Sequence, residues 1–100
     1  MIDIEPYHLT LARPLSTARD EIEEREGFLV RIEYAGQVGV GEAAPLPGWT
    51  ESLDACREAL EYAPELARDE DWGVTLGETS APAARHALAL ALADARAKLN

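Results

Sequence analysis

From Gly27 to Ala43 the chain alternates with a period of two. Phe28, Val30, Ile32 and Tyr34 alternate with Leu29, Arg31, Glu33 and Ala35. Successive strand side chains point to opposite faces, so this spacing predicts a β-strand with one buried face. Ala35-Gly36-Gln37 reads as a tight turn in which Gly supplies positive φ. The chain then returns as a strand, with Val38 and Val40 on one face and Gly39 and Gly41 on the other. Bare glycines on a strand face permit close approach by another backbone or a helix. An earlier alternating run, from Ile4 to Ala12, puts Tyr7, Leu9 and Leu11 on one face, and Arg13-Pro14 ends it. The first half of the chain therefore predicts a three-stranded antiparallel meander. The charged stretch from Ser16 to Glu26 reads as a long loop.

The second half reads as helices. Thr50 is the expected N-cap of the first, with Glu51 and Asp54 suited to its positive end. Leu53, Cys56, Leu60, Ala63 and Ala67 follow helical spacing, and Pro64 should kink or end the helix. The segment from Trp72 to Thr79 reads as a connector whose Trp72, Val74 and Leu76 pack back on the core. Ser80 is the expected cap of a last helix over about 81–99, with Pro82 in its first turn. The run from Ala87 to Ala93 also alternates, but Ala favours helix and disfavours strand. Leu88, Leu90 and Leu92 point in different directions around this helix. It therefore calls for burial on more than one side, by another domain or by self-association through Ala87 to Leu99. The fold class is α+β, with residues 1–100 forming one domain.

Charge excludes several functions. Acidic residues number 19 against 9 basic, a formal charge of -10. Nucleic acid and anionic membrane surfaces both require basic clusters and are disfavoured. Eight of the basic residues are Arg, and Lys98 is the only Lys. Excess carboxylate with almost no Lys fits a halophile's salt-rich cytoplasm, and an ordinary acidic soluble protein is the alternative. Cys56 is the only Cys, so no intramolecular disulfide or zinc spacing exists, and a cytoplasmic protein is the simplest reading. The N-terminus lacks the pattern of a signal peptide.

No catalytic or metal residue emerges from the motifs. His8 and His86 lack ligand partners at metal spacing. Ser52 and Cys56 lie in a helical stretch without a nucleophile elbow. Gly39-Val-Gly41-Glu42 lacks the third Gly of a dinucleotide fingerprint. The acidic clusters do not match a calcium loop.

One motif is distinctive. The order strand, long loop, Arg25-Glu-Gly-Phe-Leu-Val-Arg-Ile-Glu, turn, Gly39-Val-Gly-Glu-Ala-Ala-Pro-Leu-Pro-Gly, then Thr50-Glu-Ser-Leu resembles the enolase superfamily. It is most similar to the N-terminal capping domain of the muconate lactonising subgroup, and within it to o-succinylbenzoate synthases and related N-acylamino acid racemases. The resemblance covers nearly the whole chain, including the last helix with Arg85 and Asp94. It implies a cap that closes on a (β/α)8-type barrel of about 200 further residues. That barrel would supply the acid/base lysines and three carboxylates for Mg, so no catalytic or metal residue is carried over to this chain. The implied reaction is Mg-dependent loss of water through an enediolate, in menaquinone biosynthesis. A muconate cycloisomerase or an N-acylamino acid or dipeptide racemase is the alternative within the superfamily. A stand-alone binding or dimerisation module is the alternative outside it. The resemblance also implies two lid loops that touch a small-molecule carboxylate substrate at the barrel mouth. Leu15, Ser16, Thr17 and Arg19 would border it from one loop, and Leu46 and Trp49 from the other. For Trp49 a helix-start residue packed on Leu53 is the competing reading. Arg25 either meets substrate or pairs with neighbouring acids.

Overall fold

The computed structural model describes residues 2–14, 20–46, 48–66 and 72–99. Among the described residues three antiparallel strands in the order β1-β2-β3, as the alternation predicts, precede three helices. β1 is Ile2–Pro14, β2 Asp20–Tyr34 and β3 Gln37–Ala43. β1 pairs with β2 from Ile2↔Ile32 to Pro14↔Asp20, whereas β3 pairs only with Phe28 to Tyr34. Beyond Tyr7↔Gly27 the ladder is therefore a two-stranded arm, which helps give the molecule its 55 Å long axis.

The arm corrects one expectation. Residues 20–26 belong to β2 rather than to a loop. Alternating hydrophobicity marks a strand only where one face is buried, and here Glu24 and Glu26 are both exposed. The ladder with β1 satisfies the backbone without a hydrophobic signal. Residues 15–19 lie outside the described residues.

Phe28, Val30 and Ile32 are buried and face the helices, flanked by Ile2 and Ile4 of β1. Tyr7 and Leu9 share a face, but it is the opposite one, together with Asp3, Glu5 and Arg31. Arg31 lies between Asp3 at 3.4 Å and Glu5 at 3.2 Å on that surface. The β2–β3 turn holds Ala35 at φ 50 and Gly36 at φ 82.

α1 is Leu53–Leu66, α2 Trp72–Glu78 and α3 Pro82–Ala97. The cap of α1 is Ser52, whose Oγ accepts the Ala55 N–H at 3.1 Å; Thr50 is used elsewhere. Pro64 sits inside α1, which continues to Leu66. The segment expected as a connector is helical, although Trp72 is buried and Leu76 packs on the core, as expected of it. Seven residues of poor helical pattern gave no periodic signal, and burial of Trp72 and Thr75 holds the segment.

α3 lies across β3 and β2 and also touches α1 and α2. Gly39 and Gly41 make this possible: a Cβ at Gly39 would fall on the Ala91 carbonyl oxygen, and one at Gly41 on that of Ala87. The helix answers with Ala83, Ala84, Ala87, Ala91 and Ala95 along its buried face. Leu88 and Leu92 are buried by this same chain, so of the leucines expected to need outside cover Leu90 and Leu99 remain exposed. Pro82 sits in the first turn, as expected, but Ser80 is not the cap. Ala81 holds that position and offers no side-chain bond.

Candidate functional site

Between β3 and α1 the chain makes a short closed loop. The Leu46 carbonyl accepts N–H groups from Trp49 at 2.9 Å and Thr50 at 2.8 Å. In return, Leu46 N–H donates to Thr50 Oγ1 at 2.7 Å. These bonds use Thr50 to fasten the loop on itself, so its hydroxyl is not available to cap α1. Pro45 is buried beneath, and Gly48 turns the tip at φ 91. Two large apolar side chains remain outside: Leu46 is 44% exposed and Trp49 88%. That exposure excludes Trp49 packing on Leu53 as a helix-start residue.

Leu46, Pro45 and Leu53 form one wall of a pocket of about 720 Å³. Its other wall is the root of the β1–β2 arm, with Tyr7, Leu9 and Arg25, and Glu42 lies at the base. The Tyr7 hydroxyl donates to Glu42 Oε2 at 2.5 Å, tying β1 to the last turn of strand before the loop. Burial and the bond to this carboxylate push the Tyr7 pKa up to about 12, against a smaller opposite pull from Arg25. Glu24 and Glu26 also line the pocket, with His8 3.8 Å from Glu24. Arg25 is the one cation among the described lining residues, so the pocket has an acidic excess. Such a lining does not draw in an anion by long-range attraction. Its contribution is apolar surface beside a single guanidinium.

Of the residues expected at a lid, Leu46 lines this pocket and Trp49 stands outside it. Leu15, Ser16, Thr17 and Arg19 lie outside the described residues. Tyr7, Glu42 and Leu53 were not expected as site residues from sequence. For Tyr7 and Glu42 no motif could have done so, because a bond spanning 35 residues depends on strand register. Among the described residues no group of three His, Cys, Asp or Glu side chains could hold a metal ion. Cys56 is buried. Burial, then the adjacent Glu51 charge and their hydrogen bond, push its thiol up to about 12, which suits packing rather than nucleophilic attack.

Glu51 closes the arrangement. Its two carboxylate oxygens accept the N–H groups of Ala83 and Ala84, each at 2.9 Å. These are orphan donors at the start of α3, where Ala81 provides no cap. Burial pushes the Glu51 carboxyl up, but the backbone donors of Ala83 and Ala84 outweigh it and hold the group below its ordinary range.

A meander followed by helices, with an apolar-tipped loop between them, is an α+β arrangement consistent with the N-terminal cap of the enolase superfamily. The family described as MenC, N-terminal domain, matches residues 2–95, and the chain belongs to it. It is 49% identical over 51 residues to an o-succinylbenzoate synthase of Thermosynechococcus vestitus, covering 49% of this chain and 16% of that protein. It is 31% identical over 88 residues to an o-succinylbenzoate synthase of Edwardsiella ictaluri, covering 88% of this chain and 27% of that protein. The matched region thus spans about a quarter or less of the length of these relatives. No solved structure gives a significant match.

Proposed function

We propose that residues 1–100 are the capping domain of an o-succinylbenzoate synthase-like enzyme, with the loop at 44–50 serving as a lid over a barrel that carries the chemistry. The observation that carries this reading is the loop itself: fastened by three hydrogen bonds, it holds Leu46 and Trp49 outward at its tip. A rigid apolar tip has no use in solvent; over a reaction mouth it excludes water and adds substrate contact area. The last helix, over about 81–99, leads toward that barrel.

The reaction on this reading is loss of water from a cyclohexadiene carboxylate, in menaquinone biosynthesis. Mg supplies charge stabilisation for the enediolate when bound. The described residues here do not fit it, so its ligands belong to the barrel and nothing this domain does passes through the metal. The work of this chain is shape: Leu46 and Trp49 close on the substrate, and the 15–19 segment, with Leu15, Ser16, Thr17 and Arg19, borders it. A cytoplasmic location accords with the acidic composition and single Cys. Among the described residues no helix is long and apolar enough to cross a membrane.

The test is kinetic. The complete gene product is assayed for dehydration, and in parallel for racemisation of N-acylamino acids and for cycloisomerisation. Leu46→Ala and Trp49→Ala should each raise KM by roughly tenfold, with an unchanged melting temperature, since both side chains are largely solvated in the free cap. Unaltered kinetics in both variants would remove the lid role. Faster racemisation than dehydration would move the enzyme to the neighbouring class.

A further inference from the structure

We propose that Glu51 is a positioning residue for the 44–50 loop: its carboxylate straps the root of the loop to the N-terminus of α3, and so sets where Leu46 and Trp49 stand. This rests on the lid reading above and adds to it the residue that holds the lid in register.

Three observations carry the proposal. First, the loop is bonded to itself, and its Leu46 and Trp49 side chains are exposed. Thr50 is bonded to Leu46 through both backbone and side chain, so whatever holds Thr50 also bears on Leu46 and Trp49. Second, Glu51 is the next residue, and it makes two bonds to a helix that begins 31 positions after it in sequence. A single oxygen would leave the carboxylate free to pivot; two oxygens on two successive N–H groups fix its orientation. Third, α3 lacks any cap of its own, while α1 already has Ser52. Glu51 also meets the Cys56 thiol of α1, but both of its bonds to helix N–H groups go to α3. It reaches across to the helix that is locked against β3 through Gly39 and Gly41. The loop thus takes its position from a helix packed closely on β3.

A purely structural role would be to cap α3, and two readouts separate it from positioning. The first is amide hydrogen exchange in the complete gene product, comparing wild type with Glu51→Ala and Glu51→Gln. The strap requires the Trp49 and Thr50 amides to exchange roughly tenfold faster in Glu51→Ala, along with those of Ala83 and Ala84. Glu51→Gln should restore part of the protection, because its one amide oxygen still accepts one N–H. Faster exchange at Ala83 and Ala84 alone would overturn the proposal and leave Glu51 as a helix cap. The second readout is the split between KM and kcat. Glu51→Ala should raise KM roughly tenfold with a smaller change in kcat. Asp94→Ala loosens α3 without touching the loop and should leave KM unchanged. Equal KM in wild type and Glu51→Ala would also overturn the proposal. If Glu51→Ala does not fold, Glu51→Gln carries both measurements. The exchange experiment needs no substrate, so a wrong reaction assignment would appear as inactive wild type with an intact strap.

Discussion

Asp94 Oδ2 accepts the backbone N–H of Val40 at 2.9 Å, so a helix side chain completes the open edge of β3. Four residues on, Lys98 Nζ donates to the Val38 carbonyl at 2.6 Å and lies 3.4 Å from Asp94. An edge strand ordinarily presents such groups to any other chain that can pair with them. Here α3 and its C-cap do two things to β3: they pack alanines on the strand's glycine face, and they bond its Val40 N–H and Val38 carbonyl.

Removing this cover should lower stability and raise association. Asp94→Ala is expected to melt below Asp94→Asn, since Asn keeps an oxygen that can accept from Val40. The bond to Val40, helped by Lys98, holds the Asp94 carboxyl below its ordinary value. A depressed carboxylate contributes stability above the ordinary value and loses it as pH falls through the folded one. The gap between wild type and Asp94→Ala should therefore narrow in acid, as thermal melts below pH 4 would register. Sedimentation of the alanine variant should show larger species.

Gly39→Ala and Gly41→Ala test the close approach of α3. Each added methyl would land on a carbonyl oxygen of the helix, which cannot move without shifting the helix as a whole. The expected cost is about 3 kcal/mol or more for each, or failure to fold, measured by urea unfolding. A loss under about 0.5 kcal/mol at both sites would mean that α3 sits further from the sheet.

Glu51 makes the stability of the domain acid-sensitive. Its folded pKa lies below the ordinary 4.5. Its contribution is thus complete above that value and disappears as pH falls through the folded pKa. At pH 7, Glu51→Gln should be less stable by about 1 kcal/mol, the usual scale of a partly solvated helix cap. Below pH 4 the two proteins should converge. Parallel curves down to pH 2 would contradict the two bonds to Ala83 and Ala84.

Tyr7 should ionise late in an ultraviolet pH titration. Its folded pKa of about 12 against an ordinary 10 means that stability is intact below pH 10 and falls as pH rises toward 12. Tyr7→Phe should remove that phase and cost no more than about 1 kcal/mol at neutral pH, because the bond to Glu42 is exposed to water.

The acidic excess gives a salt prediction. If the formal charge of -10 is an adaptation to concentrated salt, the melting temperature should climb from dilute buffer to molar KCl as self-repulsion is screened. A flat or falling curve would assign the composition to an ordinary acidic protein.

The sequence by itself determined much of this domain. The period of two from Phe28 to Tyr34, the turn at Gly36 and the glycines at 39 and 41 were sufficient to place two strands and to foresee a close neighbour. Ala-rich composition after Pro82 was sufficient for α3. The motif from Gly39 to Gly48 led to the family. These signals are local, and local spacing records which face of an element is buried.

Other features were decided only in three dimensions. The strand through residues 20–26 gave no hydrophobic signal in the sequence, and its described acidic side chains, Glu24 and Glu26, are exposed. Thr50 and Ser80 had the chemistry of caps, yet Ser52 caps α1 and Glu51 serves α3. Which carboxylate meets which N–H depends on how helices pack, and side-chain chemistry cannot specify a partner 32 residues away. The same holds for Tyr7 with Glu42 and for Asp94 with Val40. Sequence placed most of the elements, missing the arm of β2 and α2; packing chose the bonds between them and, through Glu51, placed the loop.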